Sequence, residues 1–247
     1  IVHVVQQAKQ EDGLGNSYTT TYLLHGGLYD PTTKEFRGFE EVTVFDADGN
    51  KSITHFHQDT HKKGRPFRTE FRDQYDILWT KAEQTWSCLE PFPGVHFTKL
   101  DQTDSFTYDG DATFRQARSR FSYDGYGNLI RTDEDGDPAV AGDERAAVTQ
   151  FVLNTSAWIL NTPSLTQTLD AGGAVVAQRR FFYDGATAIN TAPATGRLTK
   201  EEEWLFPNPA SPADPAGIWQ PTTLTYDPYG NVKTVRDALG RTTTNTY

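Results

Sequence analysis

Methionine is absent from the 247 residues, and cysteine occurs once, at Cys88. A single thiol excludes an intrachain disulfide framework and any zinc cluster built on several thiolates. No hydrophobic run approaches the ~20 residues that span a bilayer as a helix. No basic segment followed by an apolar core marks a signal peptide after Ile1. Basic residues are outnumbered: 23 Lys and Arg against 33 Asp and Glu give a formal charge of −10. That sign repels phosphate backbones, so nucleic acid is not an expected partner. Arg65, Arg68 and Arg72 come closest to a basic patch, but Glu70 and Asp73 interrupt them. Catalytic signatures are missing as well. There is no G-x-S-x-G elbow, P-loop or dinucleotide G-x-G-x-x-G, and Cys88 sits in no setting that would activate a thiolate. Neither an enzyme nor a cofactor is expected in this chain.

What is present is aromatic and polar. Aromatic residues make up 13% of the chain and hydrophobic ones only 36%, with 20 Gly and 13 Pro scattered as punctuation. Short runs of Thr, Tyr, Phe and Val between turn residues predict many short β-strands and almost no helix. One spacing recurs: an Asp, two residues, then Gly-Asn. It stands at Asp12-Gly15-Asn16, Asp46-Gly49-Asn50, Asp124-Gly127-Asn128 and Asp227-Gly230-Asn231. Asp237-Gly240-Arg241 repeats it with Arg in the last place, and Asp170-Gly173 is looser, ending in Ala174. An Asp carboxylate accepts backbone N–H groups two residues on, Gly supplies a positive φ and Asn tolerates one, so the tetrad predicts a bulged hairpin turn. Aromatics keep step with it. Tyr123 and Tyr226 precede an Asp of the repeat, and Tyr183 precedes Asp184. Tyr22, Phe56 and Tyr247 follow Asp12, Asp46 and Asp237 at a constant offset. Such rings are expected to stack between neighbouring hairpins. Beginning without Met and stopping inside a repeat, the chain is expected to be a piece of a longer protein.

These residues resemble the Rhs/YD-repeat family. Tyr226 to Tyr247, YDPYGNVKTVRDALGRTTTNTY, looks like one full repeat, and YDGYGNLIRTDEDGD from Tyr123 and RRFFYDG from Arg179 look like degenerate copies. The stretch from Gly13 to Val42, with its FRGF passage, and HFHQDTHKKGRPFRTE from His55 to Glu70 resemble the middle region of insecticidal toxin-complex B subunits and SpvB-like proteins. The resemblance implies an all-β fold in which antiparallel hairpins form one curved sheet, part of a hollow shell around a C-terminal toxin polypeptide. It implies a single continuous repeat region over 1–247, toxin-complex-middle-like over 1–100 and YD-repeat over 101–247. The partners it implies are the remainder of the parent chain, the enclosed toxin and other toxin-complex subunits. The parent is expected to be secreted, and an aromatic sheet face to line the cavity.

Other readings rest on single clusters. His55 and His57 on one side of a strand, with His61 returning from a turn, form the group most like a metal site, and imidazole suits zinc. A metal-dependent hydrolase would need that cluster; the plainer reading is polar His residues stacked on aromatic neighbours. Asp133 to Asp137, with Asp143 and Glu144, carries carboxylates but lacks EF-hand spacing, and is read as a solvated loop. Trp79, Trp86, Trp158, Trp204 and Trp219 would suit an extracellular carbohydrate-binding surface, the alternative to the shell wall. The Pro-rich stretch from Phe206 to Pro215 is read as a long hairpin loop.

Overall fold

A computed structural model of the chain describes residues 2–205 and 217–247. The Pro-rich stretch from Phe206 to Pro215 lies outside the described residues. Among the described residues there is no helix, and no helix is long and apolar enough to cross a membrane. Eighteen strands account for the regular structure: β1 (Gln7–Glu11), β2 (Ser17–His25), β3 (Tyr29–Asp30), β4 (Glu35–Phe36), β5 (Glu41–Phe45), β6 (Lys51–Phe56), β7 (Pro66–Arg72), β8 (Leu78–Phe92), β9 (Val95–Tyr108), β10 (Phe114–Tyr123), β11 (Leu129–Gly136), β12 (Arg145–Asn154), β13 (Ile159–Leu169), β14 (Val175–Tyr183), β15 (Leu198–Leu205), β16 (Ile218–Tyr226), β17 (Val232–Arg236) and β18 (Thr242–Thr244). Sixteen are sheet strands, antiparallel to their neighbours; β3 and β4 make a separate ribbon. The all-β, hairpin-built fold class expected from the sequence is therefore what the structure shows.

The chain forms two compact units, Ile1–Phe121 with Glu134–Ala141, and Ser122–Asp133 with Gly142–Tyr247. In the first, the strand order is β1-β2-β5-β6-β7-β8-β9-β10; in the second, β12 to β18 pair in chain order. Each strand thus meets the next in sequence, apart from the excursion through β3 and β4. That excursion carries the FRGF passage. Tyr29 pairs with Phe36, Phe36 meets Phe39 edge-on at 5.3 Å, and Arg37 pairs with the Asp30 carboxylate. Gln58 ties the loop down by donating to the carbonyls of Gly26 at 2.7 Å and Gly38 at 3.0 Å.

Among the described residues, neither unit packs a second layer against its sheet in the way that ordinary domains bury a core. Among the described residues the buried apolar side chains are Phe106, Ala146, Val152, Phe182, Tyr183 and Pro193. Thr43, Glu70, Thr162 and Ser164 are buried beside them. Cohesion comes from ladders running across the strands. In the first unit one row reads Leu23, Thr43, Ile53, Glu70, Lys81, Phe106 and Gln116, each directly opposite the next on β2, β5, β6, β7, β8, β9 and β10. Directly paired residues share a face, so Thr43, Glu70 and Phe106 are buried on the same face. Lys81 sets its ammonium 4.1 Å from the centre of the Phe106 ring.

Glu70 is the charged anchor of that row. It accepts from Arg68 Nε at 2.6 Å and from Arg72 Nε at 2.8 Å. Burial drives its carboxyl upward, but the donors on Arg72 and Arg68 outweigh this and hold it below the usual carboxylate range. Replacing Glu70 by Ala leaves both guanidinium groups without their shared acceptor. Because Arg68 reaches solvent, the expected loss is about 1–3 kcal/mol, below the ~3–5 kcal/mol of a fully buried broken pair. Urea unfolding of Glu70→Ala beside the parent chain measures it, and an unchanged midpoint would remove Glu70 from the account.

Candidate functional site

The repeated tetrad is one hydrogen-bonded device. In the turn after β5, Asp46 Oδ1 accepts the N–H groups of Asp48 at 2.9 Å and Asn50 at 2.8 Å, and its Oδ2 accepts Asn50 Nδ2 at 2.8 Å. The main chain closes underneath, with Asp46 N–H on the Asn50 carbonyl and Gly49 N–H on the Asp46 carbonyl. Gly49 sits at φ 88°, the left-handed residue that follows a type I turn in a bulged hairpin. Asp12 with Asn16, Asp124 with Asn128, and Asp227 with Asn231 make the same three carboxylate contacts. Arg241 replaces the Asn amide with its Nε, 2.6 Å from Asp237 Oδ2. Ala174 gives Asp170 only a backbone N–H, at 2.8 Å. Gly15, Gly127, Gly230 and Gly240 hold the same left-handed conformation as Gly49.

One further copy carries neither Gly nor Asn and was missed from the sequence. Asp73 Oδ1 accepts the N–H groups of Tyr75 and Ile77, both at 2.9 Å. Asp76 takes the glycine place at φ 70°, and Trp79 Nε1 reaches Asp73 Oδ2 at 3.1 Å in place of the Asn amide. Aspartate tolerates the left-handed region better than most residues, which is the only signal the sequence held.

Three of the aromatics keep step with these turns through their hydroxyls. The hydroxyls of Tyr183, Tyr226 and Tyr247 donate to the carbonyls of Pro163 at 2.9 Å, Leu198 at 2.7 Å and Val232 at 3.2 Å. Tyr183 and Tyr226 thereby tie the end of one strand to the strand before it, and Tyr247 ties the chain after β18 back to β17. Burial pushes the Tyr183 hydroxyl up to about 12. Tyr22 lies on β2 with its N–H on the Gln6 carbonyl, Phe56 ends β6 with its N–H on the Glu40 carbonyl, and Tyr123 ends β10. Beside Tyr183, Asp184 anchors the loop to β15. Its carboxylate accepts the N–H groups of Ala194, Thr195, Gly196 and Arg197 between 2.7 and 3.1 Å, together with the Thr195 hydroxyl. Burial acts to raise the Asp184 carboxyl, but these donors win and hold it far below the usual carboxylate range.

A second row crosses seven strands of the first unit on the same face as Glu70. It reads His25, Glu41, His55, Arg68, Glu83, Asp104 and Arg118, every residue titratable. Asp104 accepts from Arg118 Nε and Gln116 Nε2, both at 2.7 Å, and from Gln102 Nε2 at 2.5 Å. Burial alone would raise its carboxyl; these donors keep it lowered. In the second unit, Arg180 lies 3.6 Å from the Trp219 ring centre and Lys200 lies 3.8 Å from that of Phe182. Arg179 pairs with Glu203 at 3.0 Å on the other face.

The clusters considered for chemistry are taken apart or rearranged. His55 and His57 both lie against Phe67, at 5.8 and 5.0 Å between ring centres. Burial, then Lys62, lowers the His57 pKa. His61 leaves them and meets His96, ring centres 4.1 Å apart. Within the acidic stretch, Asp133 pairs with Arg131, Asp135 takes Arg120 through both oxygens, and Asp137 accepts the Ala139 N–H. Trp86 donates to the Pro66 carbonyl at 2.7 Å, Trp204 stands opposite Trp219, and Trp158 is exposed at φ 56°.

With this geometry in place, three comparisons bear on the chain. Residues 1–70 match the family model described as insecticide toxin TcdB middle/N-terminal region. The resemblance carried by Gly13–Val42 and His55–Glu70 is therefore borne out there. The crystal structure of TcdB2-TccC3 without its hypervariable C-terminal region is similar at 14% identity and TM-score 0.69, over 100% of this chain and 20% of that one. That of TcdB2-TccC3 is similar at 15% identity and TM-score 0.67, over 98% and 21%. A Photorhabdus luminescens Tc holotoxin pore is similar at 14% identity and TM-score 0.65, over 94% and 20%. At these identities the likeness is one of fold, and the chain spans about a fifth of those chains. No curated protein matches it.

Two measurements test the turn device. Gly127, at φ 89°, and Gly125, where an added Cβ meets nothing within 4 Å, share one turn. Gly127→Ala is expected to lose about 1–2 kcal/mol, and Gly125→Ala to stay within ~0.5 kcal/mol or gain slightly. Equal losses in urea unfolding would refute the role given to the left-handed position. Asp184→Ala is expected to cost about 1–3 kcal/mol at neutral pH, as its backbone donors turn to water. A depressed folded pKa means stability that is present above the unfolded carboxylate pKa of ~4 and is lost as pH falls through the folded value. Asp184→Asn should therefore flatten the acid side of a stability–pH profile; a parallel profile would contradict this.

Proposed function

We propose that this chain is a wall segment of a β-sheet shell that encloses a toxin polypeptide, with no bond chemistry of its own. The observation that carries the proposal is sixteen sheet strands with only six buried apolar side chains among the described residues. A sheet that buries so little is suited to being part of a larger wall rather than to standing alone. The tandem Asp-closed turns and their tyrosines fit the YD-repeat reading, and the match of residues 1–70 gives the toxin-complex setting. The turns add support. In four of them the third residue donates its N–H to the Asp carboxylate and turns a large, mostly apolar side chain outward, leaving Leu14 87%, Tyr75 76%, Tyr229 91% and Leu239 78% exposed. In a continuous wall such tips find cover against neighbouring segments.

The charged row from His25 to Arg118 shares its face with buried Thr43, Glu70 and Phe106. Side chains crowd on the concave side of a curved sheet, so in this proposal that charged face, in place of the aromatic one expected from the sequence, looks inward. A lining of paired charges offers an unfolded polypeptide few apolar docking sites, which keeps it sequestered without fixing it. The partners in this reading are the rest of the parent chain, the enclosed toxin and other subunits of a secreted, SpvB-like virulence complex.

The test uses the longer protein that carries this region together with its C-terminal polypeptide. Under limited proteolysis the C-terminal polypeptide is expected to survive while the wall is intact, and to be digested once the wall is unfolded. Digestion at the rate of the free polypeptide would overturn the proposal. A carbohydrate-binding surface is the second reading, favoured by Trp158, which is 72% exposed. Glycan binding abolished by Trp158→Ala would put that reading first.

A further inference from the structure

His61, Cys88 and His96 come from three separate stretches and converge in the first unit. One ligand atom from each, an imidazole nitrogen or the thiol sulfur, lies within 4.8 Å of the other two. We infer that these three side chains form a binding site for a borderline-to-soft transition-metal ion of the zinc class, with a fourth position open to water.

Sheet register and loop anchoring build the arrangement. Cys88 on β8 stands opposite Thr98 on β9. His96 is two residues before Thr98, so it projects from the same face one step along the hairpin. His61 arrives from the loop between β6 and β7. That loop is closed by Asp59, whose carboxylate accepts the N–H groups of His61 at 3.1 Å and Lys62 at 2.9 Å. It is sealed by the Gly64 N–H on the His57 carbonyl. The Thr98 hydroxyl donates to the His61 carbonyl at 2.7 Å, which fastens the loop over the hairpin. The loop is held there by its backbone, leaving the imidazole free to act as a ligand.

The donor chemistry selects the metal. One thiolate and two imidazoles suit Zn²⁺ and Cu⁺, and disfavour Mg²⁺ and Ca²⁺, which take oxygen ligands. Zn–N distances of ~2.0 Å and Zn–S of ~2.3 Å put tetrahedral ligand atoms ~3.3–3.6 Å apart. From spacings within 4.8 Å the trio reaches this by closing no more than about 1.5 Å, within the reach of χ rotations for exposed His61 and His96 and half-buried Cys88. On binding, the thiol gives up its proton and its sulfur lone pair forms the metal bond; no oxidant or reductant takes part. His55 and His57, which lie against Phe67, are not among the three. The ion would clip the β6–β7 loop to the longest hairpin of the sheet.

The experiment titrates the reduced, folded chain with Zn²⁺ against a chromogenic chelator, and with Co²⁺ followed by absorption. One equivalent of Zn²⁺ is expected, and the Co²⁺ complex should show a near-ultraviolet thiolate-to-metal charge-transfer band. Cys88→Ser should abolish the band, and His61→Ala and His96→Ala should weaken Zn²⁺ binding at least 10-fold. His55→Ala and His57→Ala should bind as the parent does. Circular dichroism screens each variant for folding, and if Cys88→Ser fails to fold, the parent's Co²⁺ band decides alone. No stoichiometric Zn²⁺, a Co²⁺ complex without the thiolate band, or binding lost in His55→Ala or His57→Ala while His96→Ala retains it would each overturn the inference.

Discussion

An aspartate carboxylate that replaces missing backbone partners is the contact on which this sheet depends. A five-residue hairpin turn leaves N–H groups pointing into the loop with no strand opposite. Asp46 and its equivalents collect two of them on one oxygen and an amide on the other. Hydrogen bonds to a charged acceptor are the stronger kind, and here they cost no apolar burial. The device is cheap in sequence, needing one acid and one residue that accepts positive φ. It can therefore be repeated along a chain too poor in hydrophobic residues to fold around an ordinary core.

The rest of the architecture follows from having many turns and one layer. Without a covering layer, each sheet face must satisfy itself. The first unit does this with ladders of opposite charge, in which Glu70 is flanked by Arg68 and Arg72 and Asp104 is gripped by Arg118. The second does it with cations over rings, Arg180 on Trp219 and Lys200 on Phe182. Tyrosines close the remaining gap by joining strand ends through hydroxyl-to-carbonyl bonds, and Asp184 folds a long loop onto four backbone amides. Such contacts are local and modular, as a sheet assembled hairpin by hairpin requires.

Much of this was legible in the sequence. Spacing exposed Asp12, Asp46, Asp124, Asp227 and Asp237, because Gly and Asn at set distances leave few other conformations. The all-β class followed from the same turns. The Asp73 turn was not legible, since Asp76 and Trp79 take over the work of Gly and Asn with residues that have no turn signature. The face carrying the charged row was hidden for a different reason. The row is made by pairing across seven strands, so residues far apart in sequence become neighbours on one face, which no spacing along the chain encodes. His61, Cys88 and His96 escaped notice because their proximity is made by pairing between β8 and β9 and by a loop fastened through Thr98, none of which a spacing rule encodes.

Single-particle electron microscopy of the longer protein that carries this region tests the shell account most directly. The account predicts a closed wall in which strands continue the sheet beyond β18, with the charged row from His25 to Arg118 facing an interior that contains additional density. An open, solvent-exposed sheet on both faces, with no enclosed volume, would contradict it.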